Sequence, residues 1–170
     1  MELADARGDE LRPVGTSGFA FRLLVFRIDE HRFALPLERT ERVVQAVAIT
    51  PLPAAPEPVA GIVDIGGRIL PVLDVRRRCG LAACPVALED VFVIARTAHR
   101  SVVLWTGPVL GAATVAADNR LALADADARD AVASGVARLR DGLVLIHDLD
   151  RFLAPGAEVA LRAALAAREV

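Results

Sequence analysis

Few residues in this 170-residue chain have the type and spacing to carry a reaction. Ser17, Ser101 and Ser134 are the only serines, and none stands in the Gly-x-Ser-x-Gly setting that raises a nucleophile on a sharp turn. His31 and His99 fall in polar stretches that read as hairpin turns, where solvation is expected rather than proton transfer. His147 ends an apolar run beside Asp148, which predicts a hydrogen-bonded structural pair and not a catalytic dyad. All 20 basic residues are arginine, so a Schiff-base or phosphate-binding lysine is excluded. Cys79 and Cys84 stand with four residues between them, but no His/Cys pair at zinc spacing completes them; neither a metal nor another cofactor is expected. Asp64, Asp74, Asp148 and Asp150 sit at the ends of apolar runs, where turn and cap duty is predicted. Gly66-Gly67 lacks the Gly-Lys that would make it a phosphate loop. The inventory describes a protein that binds and does not turn over substrate.

Composition narrows the partners. The net charge of −2 spreads no broad field for nucleic acid or anionic lipid, and Arg76-Arg77-Arg78 reads as a solvated face in a chain with only 4% aromatics. The hydrophobic share of 54% supplies a core. The longest uncharged run, Ser101 to Ala117, is broken by Gly107, Pro108 and Gly111 and is too short to span a bilayer, so no direct membrane insertion is expected. The first ten residues mix charges without an apolar stretch, which does not suit a secretory signal, and two cysteines make no disulfide framework. A cytoplasmic protein is expected.

The elements that must position these residues are short strands. Gly61–Val75 aligns without a gap on Gly135–Leu149, each with a Gly, an apolar run, a Gly-containing turn, a second run and an Asp 13 residues after the first Gly. Upstream, Val25–Leu37 aligns on Val93–Trp105. Two offset matches in the same order indicate an internal repeat. Strands are predicted near 21–28, 33–36, 60–65, 68–74, 90–96, 101–106, 136–140 and 143–147, with turns at Gly66-Gly67 and Asp141-Gly142. Glu38–Arg42 reads as one helical turn before strand character resumes at Val43. Four prolines between Thr50 and Pro58 mark an extended connector, and Pro71 predicts an edge strand or a bulge. Ala116 to Ala133 reads as weak helical turns and loop, and Glu158 to Arg168 as an Ala-rich helix. The fold class is mainly all-β: two small five-stranded β-barrels related by the repeat, with short helices and a C-terminal helix. Each barrel alone is too small to be stable, so the two should share an apolar interface.

Leu24–Ile28, Phe33–Leu37, Ile49–Pro53 and above all Gly61–Val75, with Gly135–Leu153 at the far end, resemble the CheW family of chemotaxis coupling proteins. The resemblance covers about residues 20 to 153. It implies a CheW-like domain over 19–153 with two intertwined β-barrel subdomains at roughly 21–80 and 89–150; outside it, the polar residues 1–18 read as a flexible tail and 154–170 as a C-terminal helix. It also implies a non-enzymatic scaffold joining the cytoplasmic tips of methyl-accepting receptors to the regulatory domain of the histidine kinase CheA, in the cytoplasm and recruited to membrane-associated receptor arrays. The receptor-facing groove falls by resemblance on Thr40, Val43, Gly61, Asp64, Ile65 and Gly66. The family usually reads Asn-Leu-Arg-Gly where this chain has Asp64-Ile65-Gly66-Gly67, and Arg42 stands where an acidic residue is common. A diverged binding module, for a non-flagellar pathway or a different partner, is the alternative that this departure raises.

Overall fold

The computed structural model describes residues 19–121, 133–153 and 155–168; the expected tail over 1–18 lies outside them. Strands β1 (Ala20–Ile28) and β2 (His31–Pro36) form the first hairpin, and β3 (Thr40–Gln45) follows a 3-10 turn at Leu37–Arg39. A second hairpin, β4 (Val59–Ile65) and β5 (Arg68–Asp74), ends in the helical turn α1 (Val75–Arg78). The order then recurs as β6 (Val91–Arg96), β7 (Ser101–Thr106), β8 (Val109–Ala116), the short β9 (Arg120–Leu121), β10 (Ala133–Leu139) and β11 (Gly142–His147). A 3-10 turn at Leu149–Arg151 leads to α2 (Pro155–Ala166).

The strands make two sheets, in the order β8-β1-β2-β11-β10-β9 and β3-β6-β7-β5-β4. The all-β expectation holds, with two corrections. The sheets have six and five strands, and neither closes into a barrel. In the five-stranded sheet the outer strands meet only through the chain after β3, where the Thr50 and Ile62 amides each donate to the other's carbonyl at 2.9 and 2.8 Å. The prolines that begin at Pro51 have no N–H to extend that pairing.

The second correction concerns the division near residues 80–89. Each sheet takes its first hairpin from one half of the chain and its second from the other. β11 lies parallel to β2, with Leu145 opposite Phe33, and β5 lies parallel to β7, with Val72 opposite Val103. Parallel neighbours cannot be joined by a tight turn, so each copy of the repeat must reach across to the other. The repeat survives in the topology, and the sheets are exchanged between its copies.

Two local readings also change. β5 is an interior strand despite Pro71, because its ladder with β7 begins at Val72, one residue past the missing N–H. β8 was not expected; it pairs with β1 from Ala20↔Ala116 to Phe26↔Val109 around a bulge.

Strand alternation sorts the apolar side chains into three clusters. Leu23 and Val25 of β1 point into the six-stranded sheet with Val115, Val144 and Ile146. Leu24, Phe26 and Ile28 point the other way, meeting Leu73, Val93 and Leu104 of the five-stranded sheet in the largest cluster. Val63, Leu70, Val72, Phe92, Ile94 and Val103 fill the inner face of that second sheet. Helix α2 covers the central cluster with Ala157, Leu161 and Ala164. The Arg100 guanidinium holds it there, giving Nε and Nη2 to Glu158 Oε1 at 2.9 and 2.7 Å.

Candidate functional site

The aspartates singled out in the sequence are occupied with backbone. Asp64 Oδ1 accepts the Gly67 amide at 2.7 Å across the hairpin turn, and Asp74 Oδ1 caps α1 by accepting the Arg77 amide at 3.1 Å. Asp148 Oδ1 does the same for Asp150 at 3.0 Å, and Asp150 Oδ1 accepts from Ala98 at 2.6 Å. Asp74 and Asp148, the matched acids of the repeat, therefore cap matched turns.

His147 does not pair with Asp148. Neighbouring residues leaving a strand point in opposite directions, and the imidazole is 2% exposed, edge-on to Phe33 at 4.8 Å and also against Phe152 at 5.2 Å. Neither ring nitrogen has a partner among the described residues. Burial, helped by the positive charge of Arg78, pushes its pKa down to about 4, so the ring is neutral at physiological pH. Burial likewise pushes the Cys79 thiol up to about 11. Among the described residues no three His, Cys, Asp or Glu side chains converge as metal ligands, and no helix is long and apolar enough to cross a membrane.

Five of the six expected groove residues lie on the two outermost strands of the five-stranded sheet, and Gly66 lies in the turn that follows β4. Thr40 opens β3, half-buried, with its hydroxyl donating to the Pro36 carbonyl at 3.4 Å. Val43, opposite Val93, packs against the central cluster. Gly61 is buried on β4 beneath the Thr50 carbonyl and the Ile49 Cγ2, which stands 2.8 Å from where a β-carbon would be. Ile65 packs against the inner-face cluster, while Asp64 and Gly66 are exposed. Gly66 and Gly67 both have left-handed φ, +63° and +83°, as the two-residue turn requires, and there is open space around each. Packing thus accounts for Val43 and Gly61, and Thr40, Asp64, Ile65 and Gly66 gather at one end of the sheet.

That end carries a feature the sequence reading missed. The register of β3 slips between Thr40 and Arg42, leaving Glu41 as the extra residue of a bulge, a device that re-aims a side chain. Its Oε1 accepts Ser101 Oγ at 2.6 Å and Arg96 Nε and Nη2 at 3.3 and 3.2 Å, and its Oε2 accepts Arg68 Nη1 at 3.3 Å. One carboxylate so ties β3 to β5, β6 and β7 where no strand pairing closes the sheet. The Ser101 hydroxyl, chiefly, and then the two guanidiniums hold the Glu41 carboxyl below its usual pKa. Glu38–Arg42 reads as helix former by composition, and that reading hid the bulge.

Comparison with known proteins follows the same boundaries. Residues 22–155 match the family described as CheW-like domain. A chemotaxis protein CheW of Thermotoga maritima is 27% identical over 134 residues, covering 78% of this chain and 87% of that protein. One from Rhizobium meliloti is 25% identical over 130 residues, 75% of this chain and 84% of that protein. The crystal structure of the scaffolding protein TtCheW from Thermoanaerobacter tengcongensis superposes with a TM-score of 0.73 at 21% identity, over 82% of this chain and 96% of that one.

Proposed function

This chain belongs to the CheW-like domain family, and from that premise we propose that it is a coupling scaffold of bacterial chemosensory signalling. It joins the cytoplasmic tip of methyl-accepting receptors to the regulatory domain of the histidine kinase CheA, in the cytoplasm and at receptor arrays. The observation that carries this reading is the family match over 22–155, which takes in both sheets. It works by binding alone: its aspartates cap backbone and its one buried histidine is neutral and unpaired among the described residues. Residues 19–153 are the working domain, and helix α2 (Pro155–Ala166) seals its central cluster through Ala157, Leu161 and Ala164. Thr40, Val43, Gly61, Asp64, Ile65 and Gly66 form the receptor groove, with Val43 and Gly61 setting its shape from beneath.

The experiment is co-elution of the full chain with a receptor-tip fragment and the CheA regulatory domain, both from the same genome. A three-way complex is expected, and failure to bind either partner overturns the reading. Gly66 favours one alternative, a diverged module with its own receptor, because the turn carries no side chain at that position. Strong binding to the genome's own receptor with none to a tip from another species would select it.

A further inference from the structure

Glu41, Arg68 and Arg96 form a cluster that closure of the sheet does not exhaust. Arg68 gives only Nη1 to Glu41, and its Nε and Nη2 have no acceptor among the described residues. Its side chain is 55% exposed, two positions past Gly66 and opposite Ile65 in the β4–β5 ladder. Arg96 shares the same carboxylate from β6 and is 69% exposed, and Arg42, exposed on β3, has no partner among the described residues. Two guanidiniums thus rest on one carboxylate, and the residue after that carboxylate on β3 is a third arginine. Exposed ion pairs of this kind add little stability, so stapling alone is a weak reason for the arrangement.

We propose that Arg68 is a partner-binding residue, whose free Nε–Nη2 edge takes a carboxylate side chain on the protein segment that docks across this end of the sheet. The planar fork of a guanidinium matches the two oxygens of a carboxylate, which a compact ammonium cannot do. Glu41 is the positioning residue. By taking Nη1 it turns the opposite edge outward, and Ser101 and Arg96 fix the Glu41 carboxylate in turn. Ile65, opposite Arg68 in the β4–β5 ladder and so on the same face, is only half-buried, so the cation stands beside an apolar contact. The partner chemistry is therefore an acidic residue next to aliphatic ones. This rests on the coupling reading, with the receptor tip as the partner that meets this end.

The test uses the full chain and two probes, a receptor-tip fragment and the CheA regulatory domain from the same genome. Arg68→Ala is expected to weaken tip binding roughly ten- to hundredfold. Arg68→Lys should recover little of it, and binding to the regulatory domain and thermal stability should stay unchanged. Added salt should weaken the wild-type tip complex more than the Arg68→Ala complex. Glu41→Gln, which keeps the shape but loosens the staple, should fall between. Tip binding that is the same in wild type, Arg68→Ala and Arg68→Lys overturns this inference and leaves the coupling reading standing. A wild-type chain that binds the regulatory domain but no tip overturns both.

Discussion

The carbonyl oxygen of Thr50 occupies the place where a β-carbon on Gly61 would stand. The matched glycine of the repeat is built alike, with the Leu121 carbonyl oxygen 2.8 Å from the β-carbon position of Gly135. Both glycines follow a register slip in their strands, between Val59 and Gly61 and between Ala133 and Gly135. The glycine of the repeat is thus a steric requirement where a passing chain segment seals the edge of a sheet.

Gly61→Ala is therefore expected to destabilise the fold by about 2–4 kcal/mol, since backbone must move to admit the methyl group. Gly135→Ala should cost less, its contact being looser. Urea unfolding of both variants checks the order. Any loss of partner binding by Gly61→Ala should track the loss of folded protein.

His147 makes stability depend on acid. Its pKa is about 4 in the folded chain against 6.5 unfolded, so the unfolded state takes up its proton first as pH falls. The contribution is complete above pH 6.5 and declines between 6.5 and 4, by an amount on the order of 3 kcal/mol. His147→Leu should flatten that part of the profile, and at pH 7 it should cost little, because two buried nitrogens without partners among the described residues are removed. Urea midpoints from pH 4 to 8 decide this; parallel profiles for the two proteins would count against it.

The two thiols should separate cleanly in reactivity. Cys84 is exposed, while Cys79 is half-buried with its pKa pushed up to about 11, and only the thiolate reacts. An aromatic disulfide reagent at pH 8 should therefore modify one thiol rapidly and the second only on unfolding. Two equally fast thiols would contradict the packing around Cys79.

At the hairpin turn, Gly66→Arg is expected to tighten binding to a generic receptor tip, alone or with Asp64→Asn. The asparagine keeps an Oδ1 that can accept the Gly67 amide. The open space around Gly66 admits the side chain, but its φ of +63° charges an L-residue about 1–2 kcal/mol. Melting temperature is measured first, then affinity by titration. Tight wild-type binding with no gain in the double variant would sink this expectation.

Much of the architecture was legible because hairpins are local. The β4–β5 and β10–β11 hairpins follow from Gly66-Gly67 and Asp141-Gly142 between apolar runs, and the repeat linked them. β8 was not legible: Gly111, Ala112 and Ala113 carry no alternation, and β1 supplies the reason for the strand, setting Leu23 against Ala113. The exchange between sheets, which the resemblance implied only as intertwined subdomains, is not legible in the residues themselves, since parallel neighbours such as Val72 and Val103 leave no mark between them in the chain. The six groove positions rest on resemblance alone, while the packing duty of Gly61 and the Glu41 staple depend on contacts made by residues far away in sequence.

The exchanged hairpins bear on how the molecule comes into being. A nascent chain that has emerged only as far as Gly80 holds β2 without β11 and β5 without β7, two rows of unmatched backbone awaiting strands still to be translated. Neither sheet can be finished on the ribosome before the second copy follows, which delays folding and leaves edges open to wrong pairing. The same geometry makes the exposed stretch from Ala82 to Glu89 a natural place to divide the protein. The first fragment would own two strands of the six-stranded sheet and three of the five-stranded one, the second the rest, so the pieces are expected to form an obligate complementation pair, silent apart and folded only when mixed.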